Sequence, residues 1–304
     1  MRNFIITLFT IIVASSCYND NNIVDNEARY IPNFGNPEMK EIIGYGPIKK
    51  CTEYFYFDNI KEEYGQVVLG LFDFTYEYIF NAEGKIVICD YPEQKDTYEY
   101  QDNMCIFNSY YQKQLSRRII NYYNENNQII KREWFNNQRI LTSACSYKYN
   151  NNGDEIECFN CMTNKVVSSI EYTYDYNNLI TSTTYKDSSK KVSESSIHLH
   201  CDDSTTMLVY DDNKNLIKKR TITTDGIVDS LFNKSYIDKV IKYDSKLNEL
   251  EEQNWHVYNG NNYISIQRTY KYIFDDRGNW IKKETYYTDK EIPASIVIRE
   301  IEYY

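Results

Sequence analysis

One short unit recurs along this chain, and its chemistry leaves few folds open. An aromatic residue is followed by Asp or Asn, two variable polar residues, Gly or Asn, one further residue and an apolar pair or its remnant. The unit reads Phe80-Asn-Ala-Glu-Gly84-Lys-Ile-Val, Tyr123-Asn-Glu-Asn-Asn127-Gln-Ile-Ile, Tyr149-Asn-Asn-Asn-Gly153-Asp-Glu-Ile and Phe274-Asp-Asp-Arg-Gly278-Asn-Trp-Ile. Looser copies begin at Tyr210 and Tyr243, with Lys214 and Leu247 in the Gly/Asn slot, and shortened ones at Tyr100 and Tyr174. Upstream of each turn, aromatics alternate at period two, as in Tyr76, Tyr78, Phe80 and Tyr270, Tyr272, Phe274. That period places them on one face of a strand. The Asp or Asn bonds its own backbone and starts a turn. Gly84, Asn127, Gly153 and Gly278 occupy the slot where a four- or five-residue hairpin loop needs tolerance of positive φ. Each unit therefore predicts a β-hairpin.

A single hairpin is marginal in water, so neighbours must share the aromatic face. Eight units make about sixteen strands, more than a flat open sheet usually holds. The expected fold is all-β: tandem antiparallel β-hairpin repeats forming an elongated, coiled or curled sheet over residues 48–304. Repeat-to-repeat packing is expected to bury most of the tyrosines. Composition agrees, with 32 Tyr against 13 Phe and 3 Trp, and with 10 Gly and 5 Pro leaving the turns to Asn and Asp. A formal net charge of −10 argues against a nucleic-acid partner.

The repeat resembles the YD repeat of the RHS family, in the short divergent form of exported lipoproteins of Gram-negative bacteria. Tyr272-Ile-Phe-Asp-Asp-Arg-Gly-Asn-Trp-Ile and Tyr172-Thr-Tyr-Asp-Tyr-Asn-Asn-Leu-Ile carry the likeness best. It implies a hairpin architecture. It does not bring the toxin-enclosing role of large RHS proteins, because the chain is too short for such a shell and shows no self-cleavage core.

The first residues point to export. Arg2 precedes an uncharged apolar run from Phe4 to Val13, shorter than the roughly 20 residues a spanning helix needs. It reads as the hydrophobic region of a signal peptide over residues 1–16. Ala14, Ser15, Ser16 and Cys17 then resemble the bacterial lipobox, which implies acylation of Cys17. Ala14 and Ser16 equally satisfy an ordinary small-x-small cleavage site, which would leave Cys17 incidental. Residues 17–47, polar and then proline-bearing, are expected to form a lipid-anchored tether.

Few residues invite chemistry. Without Cys17, seven cysteines remain: Cys51, Cys89, Cys105, Cys145, Cys158, Cys161 and Cys201. The odd number leaves at least one thiol unpaired within a monomer. Cys145 and Cys158 fall on the two arms of one hairpin and could face each other. Cys158-Phe-Asn-Cys161 has CxxC spacing, without a second CxxC or a histidine pair to complete a metal site; the structural reading of these cysteines is favoured. His198 and His200 share one side of a strand, and two ligands do not make a metal site. Asp202-Asp203, Asp211-Asp212 and Asp275-Asp276 are explained by turn chemistry. Asp203-Ser-Thr and Asp229-Ser-Leu resemble short O-glycosylation acceptors. No catalytic residue, metal or cofactor is expected.

The resulting expectation is a binding or structural module of the cell envelope, held at the outer membrane on its surface or periplasmic face. A glycan or an envelope protein is the expected partner. The alternative is an envelope enzyme acting on carbohydrate through carboxylates brought together by folding.

Overall fold

The computed structural model describes residues 28–32, 40–57, 60–63, 66–201, 203–233, 236–258, 261–288 and 290–304. Cys17 and the expected signal peptide lie outside the described residues. Within them, every regular element is a β-strand. Twenty strands form one closed antiparallel barrel. They run round it in chain order, from Ile48–Tyr56 through Phe74–Phe80 and Ile86–Asp90 to Ser295–Tyr303. The last strand then pairs with the first, through Arg299↔Glu53 and Ile301↔Cys51.

This closure overturns the expectation of an elongated, coiled or curled sheet. Sheet twist and the bulges beside the turns bend the wall. With about twenty strands the bend is sufficient to bring its two edges together, and pairing them removes two rows of unsatisfied backbone groups. Outside the barrel wall, Ile60–Glu63 pairs with Gln66–Leu69 in the connection between the first two barrel strands. Ala28–Pro32 pairs with Lys40–Tyr45 inside the span expected to be a tether.

The turns explain why the wall is regular. One loop recurs nine times among the described residues, opening at Asn81, Asn124, Asn136, Asn150, Asp175, Asp187, Asp211, Asp244 and Asp275. In each, the first residue's N–H donates to the fifth residue's carbonyl, and the fourth residue's N–H donates to the first residue's carbonyl. The side-chain oxygen of the first residue accepts from the fifth residue's N–H. The fourth residue takes positive φ: 75° at Gly84, 60° at Asn127, 88° at Gly153 and 81° at Gly278, but also 64° at Lys214 and 65° at Leu247. Ladder register shifts beside the preceding aromatic, as at Tyr122/Tyr123 and Ile273/Phe274, the pattern of a tight turn followed by a bulge. The left-handed region costs a non-glycine residue roughly 1–2 kcal/mol. Leu247 is also largely exposed. Leu247→Gly is therefore expected to raise stability by about 1 kcal/mol in urea denaturation; a loss would mean that the Leu247 side chain packs in a way its exposure hides.

Tyrosine hydroxyls tie neighbouring hairpins together at the loops. Tyr174 Oη donates to Asp154 Oδ2 at 2.6 Å and accepts from Asn150 Nδ2 at 2.7 Å, both in the preceding loop. Tyr149 Oη reaches the Ile129 carbonyl at 2.8 Å. At the seam, Asn279 Nδ2 donates to Tyr303 Oη at 2.8 Å and to the Tyr45 carbonyl at 2.9 Å. The unit's aromatic thus does two jobs, packing with its ring and stitching with its hydroxyl.

Ladder partners share a face, so register assigns each side chain to the inside or the outside. The outside carries ion pairs around the circumference: Lys50–Glu77 at 2.6 Å, Lys148–Glu157 at 2.5 Å, Lys242–Glu251 at 2.6 Å and Lys282–Glu284 at 2.7 Å. The same outer face also carries exposed apolar side chains, among them Ile197, Leu199, Val228 and Ile273.

The inner face divides into two arcs. From Ile48–Tyr56 to Gln114–Tyr123 it forms the core, with Cys51, Tyr78, Phe80, Ile86, Cys89, Tyr98, Cys105, Phe107 and Ile119 buried together. The hairpin of Ala28–Pro32 and Lys40–Tyr45 touches Ile86–Asp90 and Ile48–Tyr56, two strands of this arc. Among the tyrosines Tyr78 and Tyr98 are buried, whereas most others in both arcs are half-buried.

Candidate functional site

The second inner arc, from Val192–Cys201 round to the seam, is largely polar and mixes buried residues such as Met207, Asp229 and Glu252 with half-buried ones such as Arg220, Ile241 and Arg268. Across six adjoining strands the ladder sets Met207, Arg220, Asp229, Ile241, Glu252 and Arg268 side by side in one row. The next inward rows add Glu194, Lys218, Lys239, Tyr270, Tyr272 and Lys283. Charges of both signs on an inner wall must pair, because desolvating either alone is costly.

They pair within the wall. Arg220 Nε donates to Asp229 Oδ1 at 2.6 Å while its Nη2 bonds Oδ2, a two-pronged grip, and Lys218 Nζ lies 3.4 Å from the same carboxylate. Glu252 accepts from Lys239 at 3.0 Å, from Tyr270 Oη at 3.0 Å and from Asn254 Nδ2 at 3.1 Å, with Arg268 Nη1 at 3.4 Å. Lys283 bonds Glu249 at 3.0 Å and stands 4.5 Å above the ring of Tyr270. Burial works against the Glu252 charge, but Lys239, Tyr270 and Asn254 outweigh it and hold the carboxyl below its usual range. Burial, reinforced by the Arg220 charge, lowers Lys218.

Glu194 differs from Glu252. Burial pushes its carboxyl up to about 7, against the opposing pull of Lys218. Its folded value lies above the unfolded one, so the folded state holds the proton more tightly. Stability from this group is complete below about pH 4.5 and is lost as pH rises through about 7. Discounted for solvent screening, the loss is about 1–2 kcal/mol. Glu194→Gln, which mimics the protonated form, is expected to match the natural chain at pH 5 and to melt several degrees higher at pH 8. Equal melting shifts at both values would contradict the assignment.

Gly84, Asn127, Gly153 and Gly278 each take the fourth position of a loop. His198 and His200 both face inward, their rings 6.4 Å apart; His198 Nε2 meets Ser196 Oγ at 2.9 Å and His200 Nε2 meets the Ile180 carbonyl at 2.8 Å. Among the described residues, no three His, Cys, Asp or Glu side chains are grouped to hold a metal. All seven described cysteines are free. Asp211 and Asp275 open loops, as turn chemistry requires. Asp229, which opens the Asp229-Ser-Leu motif, is the buried carboxylate gripped by Arg220.

The charged row itself escaped sequence reading. Its signal lay in parity: Lys218-x-Arg220 and Tyr270-x-Tyr272 hold positions of one face, and charged residues on that face look like solvent-exposed strand positions until closure turns the face inward.

A family model described as "Uncharacterised protein" matches residues 92–226, less than half of the chain. No curated protein matches. Among solved structures, a porin-like protein from Bacteroides uniformis is similar at 13% identity and a TM-score of 0.36, covering 84% of this chain and 96% of its own. A porin-like protein from Bacteroides vulgatus is similar at 8% identity and a TM-score of 0.29, covering 84% and 98%. The TcdB2-TccC3 structure is similar at 11% identity and a TM-score of 0.27; it covers 87% of this chain, which spans 19% of its length.

Proposed function

We propose that this chain is a binding module of the cell envelope, held by a lipid on Cys17, that takes a glycan into the polar half of its barrel. The observation that supports this reading is the polar inner arc, where the half-buried Tyr243, Tyr270 and Tyr272 alternate with charges already paired in the wall. Tyrosine rings stack on sugar faces, and pre-paired charges offer fixed donors and acceptors to hydroxyl groups without a large reorganisation. The apolar arc is already covered and leaves the ligand the opposite side. The signal-like run and the Ser16-Cys17 junction support an exported, anchored protein.

The test is binding to a panel of charged and neutral oligosaccharides by the natural chain and by Tyr272→Ala. The expected result is a bound subset whose affinity falls about tenfold in the variant, roughly 1.4 kcal/mol. No binding across the panel, or binding that Tyr272→Ala leaves unchanged, contradicts the proposal. For the anchor, Cys17→Ala is expected to move the protein from the membrane fraction to the soluble one.

The alternative, a carbohydrate-cleaving enzyme, draws support from Glu194 and Asp229. One carboxyl is held protonated near neutral pH, and the other belongs to a different repeat and shares Lys218 with it. A glycosidase needs such an acid and a free carboxylate across a cleft. Asp229 is engaged on both oxygens by Arg220, which favours binding. Release of new reducing ends from a bound oligosaccharide, abolished by Glu194→Gln, would reverse that preference.

A further inference from the structure

We propose that Cys145 and Cys158 are the two thiols of this chain that close into a disulfide, with Cys161 remaining outside the bond. Cys145 and Cys158 lie on the two strands of the hairpin Leu141–Tyr149 and Glu155–Asn160, and Cys161 opens the turn that follows the second strand. Spacing alone nominates Cys158 and Cys161. The strand, however, stays extended through Asn160. Three extended steps separate the two α-carbons by about 10 Å, too far for a disulfide, whose α-carbons stand roughly 4.4–6.8 Å apart.

The ladder nominates a different partner. Cys145 pairs with Asn160 and Tyr147 pairs with Cys158, so Cys145 and Cys158 are diagonal neighbours on the inward face. Strand twist shortens one diagonal of such a pair. Register and side agree for this one: both side chains lie on one face, and Cys158 stands two positions before the direct partner of Cys145, near enough that each thiol shifts the titration of the other. The other described cysteines have no such neighbour. Cys51 and Cys89 are separated by the strand Phe74–Phe80, and Cys89 and Cys105 by Gln94–Gln101. Cys201 ends the strand Val192–Cys201, several ladder steps away.

The chemistry is thiol–disulfide exchange with a small-molecule disulfide such as oxidised glutathione. Cys145, which lies opposite Arg132 in the ladder, loses its proton and attacks one glutathione sulfur. The first glutathione leaves as thiolate. Cys158 then loses its proton and attacks the Cys145 sulfur of the mixed disulfide, and the second glutathione leaves. The protein dithiol is oxidised by two electrons and the glutathione disulfide is reduced to two glutathiones. Burial raises both thiols, Cys158 to about 12, so the exchange is slow. The bond staples the wall where the buried arc gives way to the polar one.

The experiment incubates the full-length chain with oxidised glutathione, alkylates the remaining thiols and maps the peptides by mass spectrometry. The expected product is a linked peptide pair containing Cys145 and Cys158, lighter by two hydrogens, with Cys161 alkylated or carrying glutathione. Cys161→Ser leaves that link in place, and Cys145→Ser removes it. A link between Cys158 and Cys161, or complete alkylation of Cys145 and Cys158 after prolonged oxidation of the folded chain, overturns the proposal. The readout on the natural chain and on Cys161→Ser stands even if Cys145→Ser fails to fold.

Discussion

Arg299→Ala is expected to lower the stability of the barrel by about 3–5 kcal/mol, the loss that follows when one partner of a buried ion pair is removed. Arg299 and Glu53 are each only 6% exposed. Arg299 Nε donates to Glu53 Oε1 at 2.7 Å, and Nη2 lies 2.6 Å from the same oxygen. The guanidinium also lies 3.3 Å from the centre of the Trp280 ring, and Tyr78 Oη reaches Glu53 Oε2 at 3.3 Å. These two residues face each other across the seam, in the only strand pairing that joins the two ends of the barrel sequence. The variant strands the Glu53 carboxylate in a dry site and weakens the closure at once. Adding Glu53→Gln to Arg299→Ala is expected to recover part of the loss, because the stranded charge is gone. Urea denaturation of the two variants measures both effects. A loss below about 1 kcal/mol for Arg299→Ala would be the behaviour of an exposed pair and would mean that the seam is solvated.

Gly226→Ala is expected to be nearly as damaging, at about 3 kcal/mol. Gly226 has φ of 145°, and a Cβ there would stand 2.1 Å from the Tyr243 carbonyl oxygen. The obstacle is backbone of the next strand, which cannot step aside without breaking the Gly226↔Asp244 and Ile227↔Tyr243 pairing. Gly278→Ala makes the useful contrast. Its φ of 81° is also left-handed, but the nearest obstacle is the Lys246 ammonium at 2.9 Å, the far end of a flexible side chain. That variant should cost about 1 kcal/mol, the ordinary penalty of the left-handed region. Equal losses for the two alanines in thermal denaturation would contradict the close strand approach at Gly226.

The hairpins were legible because everything that defines them is local. A period-two run, an Asx residue and a residue tolerant of positive φ sit within a dozen positions, and each has one physical reading. Even so, two loops were missed: Phe135-Asn136-Asn-Gln-Arg139 and the loop at Asp187, where Arg139 and Lys190 hold the left-handed position without glycine or asparagine. There the Asx side chain anchors the loop strongly enough to override the preference of the fourth residue. Tyr174, which reads as a shortened copy, opens a full loop with Asn178 at φ of 60°.

Closure was not legible, and the physical reason is distance in sequence. Ile48–Tyr56 and Ser295–Tyr303 carry no complementary local pattern; what joins them is curvature accumulated over the strands between. The polar arc follows from closure. On an open sheet, Lys218, Arg220 and Asp229 would read as solvent-facing ladder residues. On a closed wall the same face becomes the inside, and the paired charges there become the candidate binding surface. Export and lipidation rest on sequence alone, and the ligand class rests on the chemistry of the inner arc.

The inner binding face exists only if the barrel closes, and one cross-link tests closure. Tyr54 and Ile298 are direct ladder partners across the seam, and both point outward. A chain carrying Tyr54→Cys and Ile298→Cys, with the exposed Cys161 and Cys201 replaced by serine, should form an intramolecular disulfide on mild oxidation. It would then migrate faster than its reduced form in a denaturing gel. In an open sheet about nineteen strand spacings, roughly 90 Å, would separate the two positions. An unlinked monomer after oxidation, or only disulfide-linked dimers, would contradict the closed barrel and the inner binding face with it.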